Sequence, residues 1–151
     1  REYTATDQDP NTAYHSSFCN LVFKKENGPM SDLFDITLPI LLSAVDKQNL
    51  QLKDLFRIRI GLVTRTPEPI VHPAHKDYHT PHKTGLYYLN QADGNTIIYN
   101  ETKESDKYSV KESIEPKLNR WYNFDGAHYH SSTTPTQTEK RIVITFNYET
   151  N

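Results

Sequence analysis

Two short segments of the sequence carry side chains that could bind one metal ion. His75 and Asp77 are separated by a single residue, so in an extended segment their side chains project from the same face. A third ligand could be His128 or His130, because both follow an Asp-Gly turn signal. Two imidazoles and one carboxylate on one side of an octahedral ion leave three positions open. That arrangement suits Fe(II) that activates dioxygen together with a chelating co-substrate.

Arg141 begins an alternating strand, and its place in the pattern indicates an anion-binding role. Thr145 and Asn147 share its face. The other face takes aliphatic and aromatic residues, namely Ile142, Ile144, Phe146 and Tyr148. A buried arginine needs an anion, and a carboxylate bound through two hydrogen bonds is the natural match. An internal salt bridge or an exposed edge position is the alternative. Tyr88 could reach the same carboxylate or could be an ordinary core tyrosine.

Short strands and one helix are the elements that must position these residues. Alternation and β-branched or aromatic content predict strands at 20–24, 56–63, 84–89, 96–99, 121–124 and 141–148. The strands 84–89 and 96–99 are expected to form a hairpin through Asp93-Gly94. A 3.6-residue period in Leu38, Leu41, Leu42 and Val45 predicts a helix at 38–48 with Thr37 as N-cap. The segment 66–82, rich in proline and histidine, is expected to be irregular.

The whole chain is expected to be one all-β dominated domain, a double-stranded β-helix (jelly roll) with a flanking helix packed outside its major sheet. Its 151 residues suffice for a single core. The net charge of -2 and the pI near 6.4 disfavour general nucleic-acid binding. No apolar run approaches the ~20 residues of a membrane span. The lone Cys19 fits a reducing compartment, so a cytoplasmic location is expected.

Four runs in the second part of the chain resemble a known family. They are HKD (75–77), GLYYLNQADGNTIIY (85–99), PKLNRWYNFDGAHYH (116–130) and RIVITFNY (141–148). In this order they look like the Fe(II)/2-oxoglutarate dioxygenases of the prolyl 4-hydroxylase-like branch. The resemblance is to short stand-alone members carried by phages and aquatic microbes, and for a phage protein the location would be the host cytoplasm. It implies a catalytic core at about 55–150, with 1–54 forming an N-terminal arm, a strand and the supporting helix.

The resemblance also assigns roles to residues of this sequence. His75 and Asp77 match the first two metal ligands. His130 matches the distal ligand better than His128, because of its place after the turn and its spacing to Arg141. The co-substrate side chains that the resemblance implies are Tyr88, Arg141 and Thr145. Lys76 departs from the family pattern, in which this position is often apolar, and the extra histidines at 72, 79 and 82 are expected at the surface.

The function that the resemblance implies is hydroxylation of a substrate C–H bond, coupled to decarboxylation of 2-oxoglutarate. The expected cofactors are Fe(II), 2-oxoglutarate as co-substrate and dioxygen, with ascorbate as a candidate reductant. Peptidyl proline is the favoured substrate, followed by a free amino acid or another small metabolite. Two alternatives come from other classes. A zinc hydrolase could use the same three ligands, and a non-enzymatic jelly-roll binding module would bind no metal stoichiometrically.

Overall fold

A computed structural model describes residues 16–151, so the predicted N-terminal arm before Ser16 lies outside the described residues. The described part contains one helix, α1 (Phe34–Asp46), and nine strands. The strands are β1 (Ser17–Lys24), β2 (Gly28–Pro29), β3 (Leu52–Thr64), β4 (Lys83–Tyr88), β5 (Thr96–Tyr99), β6 (Val110–Ile114), β7 (Trp121–Asp125), β8 (His130–Ser132) and β9 (Lys140–Thr150). The segment 66–82 contains no helix or strand, which confirms its predicted irregularity.

The strands form two antiparallel sheets that face each other. The major sheet has the order β2-β1-β3-β9-β4-β7, and the minor sheet has the order β6-β5-β8. Between them lies an apolar cluster to which β4, β7 and β9 contribute from one sheet and β5 from the other. Its buried members are Leu86, Tyr88, Ile98, Phe124 and Val143. The architecture is a double-stranded β-helix with a flanking helix, which confirms the predicted fold class.

Strand β9 lies in the middle of the major sheet and divides two kinds of surface. Its inner face, toward the minor sheet, presents Arg141, Thr145 and Asn147, all buried. Its outer face contributes Ile144, Phe146 and Tyr148 to a second apolar cluster that also contains side chains of α1. Because successive residues of a strand point to opposite sides, the alternation in the sequence predicted this division correctly.

Helix α1 packs outside the major sheet, as predicted, but begins at Phe34 and not near residue 38. Thr37 is therefore inside the first turn, where its hydroxyl donates a hydrogen bond to the Leu33 carbonyl at 2.8 Å, and is not the N-cap. Leu41 and Val45 are buried, whereas Leu42 is 45% exposed. The buried stripe is narrower than the predicted one. In the described residues, no helix has the length and apolar character that crossing a membrane requires.

The predicted hairpin of 84–89 with 96–99 is wrong. β4 pairs with β7 and β9 in the major sheet, whereas β5 pairs with β6 and β8 in the minor sheet. The intervening Asp93-Gly94 lies on the crossing between sheets. The Asp93 carboxylate accepts hydrogen bonds from the backbone of residues 136–138, and a Cβ at Gly94 would overlap the Thr133 carbonyl oxygen. This turn signal therefore serves loop packing.

Candidate metal centre

The backbones of His75 and His130 are joined directly, although 55 positions separate them in the sequence. The His75 amide donates to the His130 carbonyl at 3.0 Å, and the His130 amide donates to the His75 carbonyl at 2.9 Å. This reciprocal pair forms an isolated antiparallel bridge between the irregular segment and the first residue of β8. It sets the two imidazole rings with centroids 4.5 Å apart. Two remote pieces of chain are thus held in register by main-chain bonds that depend on neither side chain.

Asp77 completes a cluster with these two histidines. Its carboxylate oxygens lie 4.0 Å from His75 Nε2 and 3.8 Å from His130 Nε2, and one ligand atom from each residue lies within 4.8 Å of the others. The two nitrogen–oxygen distances are too long for hydrogen bonds. Two bonds of about 2.1 Å to a shared ion would span up to about 4.2 Å, so these two spacings suit ligands of one metal. His128 is not part of this cluster, and its Nε2 lies 2.9 Å from Lys111 Nζ.

The carboxylate of Asp77 is held by two inner-face side chains to which the sequence analysis assigned no role in the metal site. Arg57 Nη2 donates to one oxygen at 2.6 Å, and Asn147 Nδ2 donates to the other at 2.8 Å. Arg57 Nε also donates to Asn147 Oδ1 at 3.0 Å, so the three groups form one network. Burial by itself would raise the pKa of Asp77, but the His130 ring, which is protonated only at acid pH, and the Arg57 guanidinium hold it well below its usual range. Asp77 is therefore ionised, as a metal ligand must be.

Both imidazoles direct their Nε2 atoms toward Asp77. His75 Nδ1 lies 3.1 Å from the Pro73 carbonyl oxygen, and a hydrogen bond donated there leaves Nε2 with its lone pair toward Asp77. Burial lowers the pKa of His130 to about 4, so this ring is neutral at physiological pH. Two imidazole nitrogens and one carboxylate are the donor set that Fe(II) takes in 2-His-1-carboxylate sites. The residues present therefore fit such an ion.

Arg141 lies on the same inner face with no acidic partner in the described part of the chain. It is 3% exposed, and its Nη2 donates to Thr96 Oγ1 at 2.6 Å, while its Nε is buried without a hydrogen-bond partner. Burial lowers the pKa of its guanidinium, yet arginine stays protonated in proteins. A buried charge of this kind is costly unless a counter-ion meets it. The salt-bridge alternative is thus not realised within residues 16–151.

Tyr88, Thr96 and Thr145 surround this guanidinium. Tyr88 is fully buried, its ring lies 5.6 Å from the Arg141 guanidinium carbon, and its hydroxyl shares a 2.8 Å hydrogen bond with Thr96 Oγ1. Burial raises the pKa of Tyr88, which keeps the phenol neutral. Thr145 is two inner-face positions from Arg141 on β9. Thr96 was missed from the sequence because it lies on the other sheet, and no local pattern marks such a contact.

A cavity of about 330 Å³ opens beside these groups. Its lining includes Arg59, His72, His75, Ser132, Arg141 and Thr145, so the first metal ligand and the unpaired guanidinium face the same space. The cavity thus joins the candidate metal centre to a candidate anion site. It is at the small end of the range for ligand pockets, which suits small molecules or one group of a larger one.

The remaining histidines do not all lie at the surface, as was expected. His79 is exposed. His82 is buried, with its ring against Gly126, and His72 is half-buried with Nδ1 2.7 Å from Ser132 Oγ. The surface interpretation is therefore wrong for His82. It failed because an irregular segment tied to a sheet by hydrogen bonds buries side chains without any periodic pattern.

The sequence matches no protein-family model and no curated protein. Solved structures do resemble it. An oxidoreductase of the 2OG-Fe(II) oxygenase family from Burkholderia pseudomallei has a TM-score of 0.60 at 14% identity, covering 93% of this chain and 70% of that one. A Trichoplax adhaerens prolyl hydroxylase, in complex with a peptide fragment of the hypoxia inducible factor oxygen degradation domain, has a TM-score of 0.54 at 18% identity, covering 87% and 62%. A Pseudomonas putida prolyl-4-hydroxylase has a TM-score of 0.50 at 12% identity, covering 89% of this chain and 70% of that one.

These likenesses concern the architecture. The chain has the fold shared by prolyl hydroxylases and 2OG-Fe(II) oxygenases, which confirms the fold that the four sequence runs implied. It spans less than two thirds of the length of the Trichoplax enzyme. The His-Asp-His cluster lies in this fold together with Arg141, a buried arginine for which residues 16–151 provide no acidic partner.

Proposed function

We propose that this protein is an Fe(II)/2-oxoglutarate-dependent dioxygenase that hydroxylates a C–H bond of its substrate. His75, Asp77 and His130 would hold the metal, and Arg141 would bind the distal carboxylate of 2-oxoglutarate. When bound, Fe(II) with dioxygen and 2-oxoglutarate supplies an oxidation that releases CO2 and succinate while a substrate C–H bond becomes C–OH. The whole chain would act as one catalytic domain, because both sheets contribute to the site.

One observation carries the proposal: Arg141 is buried in the cavity that His75 also lines, and within residues 16–151 its Nε has no hydrogen-bond partner. A hydrolase that uses a metal-bound water has no need of an uncompensated guanidinium beside its metal. A co-substrate with two carboxylates does need one, because one end chelates the ion and the other end requires a counter-charge. The bidentate geometry of a guanidinium matches that distal carboxylate.

Other residues of the protein orient the three metal ligands and the Arg141 guanidinium. Arg57 and Asn147 orient the Asp77 carboxylate, and the reciprocal main-chain bonds between His75 and His130 fix the spacing of the two rings. Tyr88 and Thr96 hold the Arg141 guanidinium in place, and Thr145 offers a hydroxyl on the same face of β9. Such second contacts typically contribute ten- to hundredfold to metal affinity or activity.

The substrate favoured by the resemblance is peptidyl proline, and the Trichoplax neighbour was solved with a peptide fragment. A free amino acid is the second candidate. Ascorbate would serve only to keep the metal reduced, and its requirement can be tested by omission in the same assay.

The test is an anaerobic titration of the Fe(II)-loaded protein with 2-oxoglutarate, followed by visible absorption. A 2-oxoglutarate-dependent band is expected in the wild type and not in His75→Ala. Succinate formation is then measured in air against pools of peptides and of free amino acids. A wild type without the band would contradict the proposal, and metal bound without any response to 2-oxoglutarate would favour the zinc hydrolase.

A further inference from the structure

Arg59 is a second arginine on the inner face, and the roles described above do not use it. It lies on β3 opposite Thr145 of β9, two residues beyond Arg57, and it lines the cavity with Arg141. Arg57 is neutralised by Asp77. Within residues 16–151, no carboxylate lies within ion-pair distance of the half-buried Arg59 guanidinium.

In the part of the chain that the structure describes, the charges around the cavity leave a positive surplus. Among residues 16–151, the three arginines Arg57, Arg59 and Arg141 are accompanied by one carboxylate, that of Asp77. The two positive charges of Fe(II) and the two negative charges of 2-oxoglutarate cancel, so loading the site does not remove this surplus. A positive site with low-dielectric walls favours an anion as its remaining ligand.

The register separates Arg59 from the co-substrate arginine. Arg141 lies opposite Val63, whereas Arg59 lies opposite Thr145, nearer to the Asp77 network by two inner-face positions. The charge of Arg59 acts on Asp77, His130 and Arg141 alike, which places it within electrostatic reach of the metal centre. Beside it, an added Cβ at Gly61 would meet nothing closer than Val143 at 4.0 Å, so there is open space for a ligand group.

We propose that Arg59 is a specificity-determining residue that binds a carboxylate of the molecule to be hydroxylated. This inference rests on the proposed function and narrows its substrate to small carboxylates or chain termini, in preference to neutral internal peptide segments. A carboxylate is favoured because the guanidinium fork matches its planar geometry. The cavity of about 330 Å³ must also receive the co-substrate, so the remaining space suits a small group.

The experiment compares two probes of equal size that differ in charge, N-acetyl-L-proline and N-acetyl-L-prolinamide, and extends to free amino acids and their amides. Binding to the anaerobic protein, loaded with Fe(II) and 2-oxoglutarate, is measured by calorimetry. Carboxylates should bind the wild type more tightly than the matched amides. Arg59→Gln should weaken carboxylate binding about 10- to 100-fold, the worth of one charged hydrogen-bonded contact, and leave amide binding unchanged.

Two further variants separate the role of Arg59 from general effects. Arg59→Lys keeps the charge and should recover part of the preference for carboxylates. Arg65→Gln removes an exposed arginine outside the cavity and should leave the preference intact. The affinity for 2-oxoglutarate, read from the visible band, should stay within about threefold of wild type in Arg59→Gln.

Three results would overturn the inference. These are equal affinity of the wild type for acid and amide, failure of every carboxylate in the panel to bind, and a loss of 2-oxoglutarate affinity in Arg59→Gln as large as that in Arg141→Gln. The last would assign Arg59 to the co-substrate. If the wild type shows no 2-oxoglutarate band, the proposed function fails, and the acid–amide comparison on the metal-loaded protein still decides the role of Arg59.

Discussion

The two faces of β9 are buried to a similar degree and are built for different purposes. On the outer face, Ile144, Phe146 and Tyr148 are 2%, 0% and 1% exposed and pack into the cluster beneath α1. On the inner face, Arg141 and Asn147 are 3% and 0% exposed. An apolar side chain gains from burial itself. A buried polar side chain costs free energy unless its hydrogen bonds and charge are matched. The outer face therefore stabilises the fold, and the inner face requires partners.

Those partners differ along the inner face. Asn147 is satisfied within the protein, because it bonds Asp77, Arg57 and Thr84. Arg141 has a hydroxyl and an aromatic ring as neighbours but no counter-charge in the described chain. The comparison shows that burial alone does not distinguish residues that stabilise the fold from residues that bind a ligand. The unmatched charge is the signal.

The largest effect is expected from removing a metal ligand on the inner side of the sheets. His75→Ala or His130→Ala should abolish stoichiometric iron binding, because a two-ligand site leaves the ion mostly to solvent. His128→Ala is the matched control and should keep most of the iron, since that ring faces Lys111. Iron per folded chain is measured after anaerobic loading and gel filtration. Loss of iron in the His128 variant, with retention in the His130 variant, would show that the distal ligand has been misassigned.

The outer face is tested by Phe146→Ala. This ring is fully buried, with Trp121 5.4 Å away between centroids, so the variant should lose about 3–5 kcal/mol of unfolding free energy. Leu42→Ala, on the exposed side of α1, should stay within about 0.5 kcal/mol of wild type. Both values come from urea denaturation. Equal losses in the two variants would contradict the assignment of the outer face to stability.

A smaller effect on metal affinity is expected from Asn147, an inner-face residue whose hydrogen bonds are all made within the protein. Asn147→Ala removes the 2.8 Å hydrogen bond to Asp77 and the bond that Arg57 Nε donates to Asn147, so metal affinity should fall about 10- to 100-fold. The control is Asn100→Ala, an exposed asparagine bonded to Ser109. Competition with a metal-indicator dye gives the affinities. If metal affinity in Asn147→Ala matches the control, the network around Asp77 does not orient the ligand.

The smallest effect on stability is expected from Asp93, whose carboxylate binds the loop that leads into β9. Hydrogen bonds from Thr136 and Thr138, backbone and side chain, outweigh the effect of burial and hold the pKa of Asp93 below its ordinary 3.8. A carboxylate with a depressed folded pKa stabilises the protein above the unfolded pKa, and this contribution is lost as the pH falls through the folded pKa. The stability difference between wild type and Asp93→Asn should therefore be constant near neutrality and shrink below about pH 4.

That prediction is measured by urea unfolding across the acid range. A difference that does not depend on pH would show that the Asp93 carboxylate contributes through its shape and not through its charge.

Much of the fold could be predicted from the sequence because strands and helices produce a local periodicity of apolar and polar residues. The strict alternation of 141–148 determined both faces of β9, and the turn before His130 was recognised from Asp125-Gly126. What failed depends on contacts between distant segments. Asp93-Gly94 looks like a hairpin turn locally, but its partners are on the 136–138 loop. The sequence contains no local sign of that pairing.

The candidate site was predictable to the same extent. His75 and Asp77 are two residues apart, and an extended chain brings them together. Arg57 and Arg59 were passed over because a polar face on a strand usually meets solvent, and only the presence of the minor sheet turns it inward. Two arginines at i and i+2 on a strand in the middle of a sheet were the available signal.

The most direct test of the central claim is the affinity of the anaerobic Fe(II) protein for 2-oxoglutarate, compared between wild type and Arg141→Ala at matched iron loading. The unpaired guanidinium should contribute about 2–5 kcal/mol to co-substrate binding, the range for truncating one member of a buried charge pair. Iron affinity should be unchanged, because Arg141 is not a ligand. The predicted result is that the visible band of the variant develops only at a much higher concentration of 2-oxoglutarate than that of the wild type. An identical titration curve in the two proteins would contradict the account, since the co-substrate carboxylate would then be bound elsewhere.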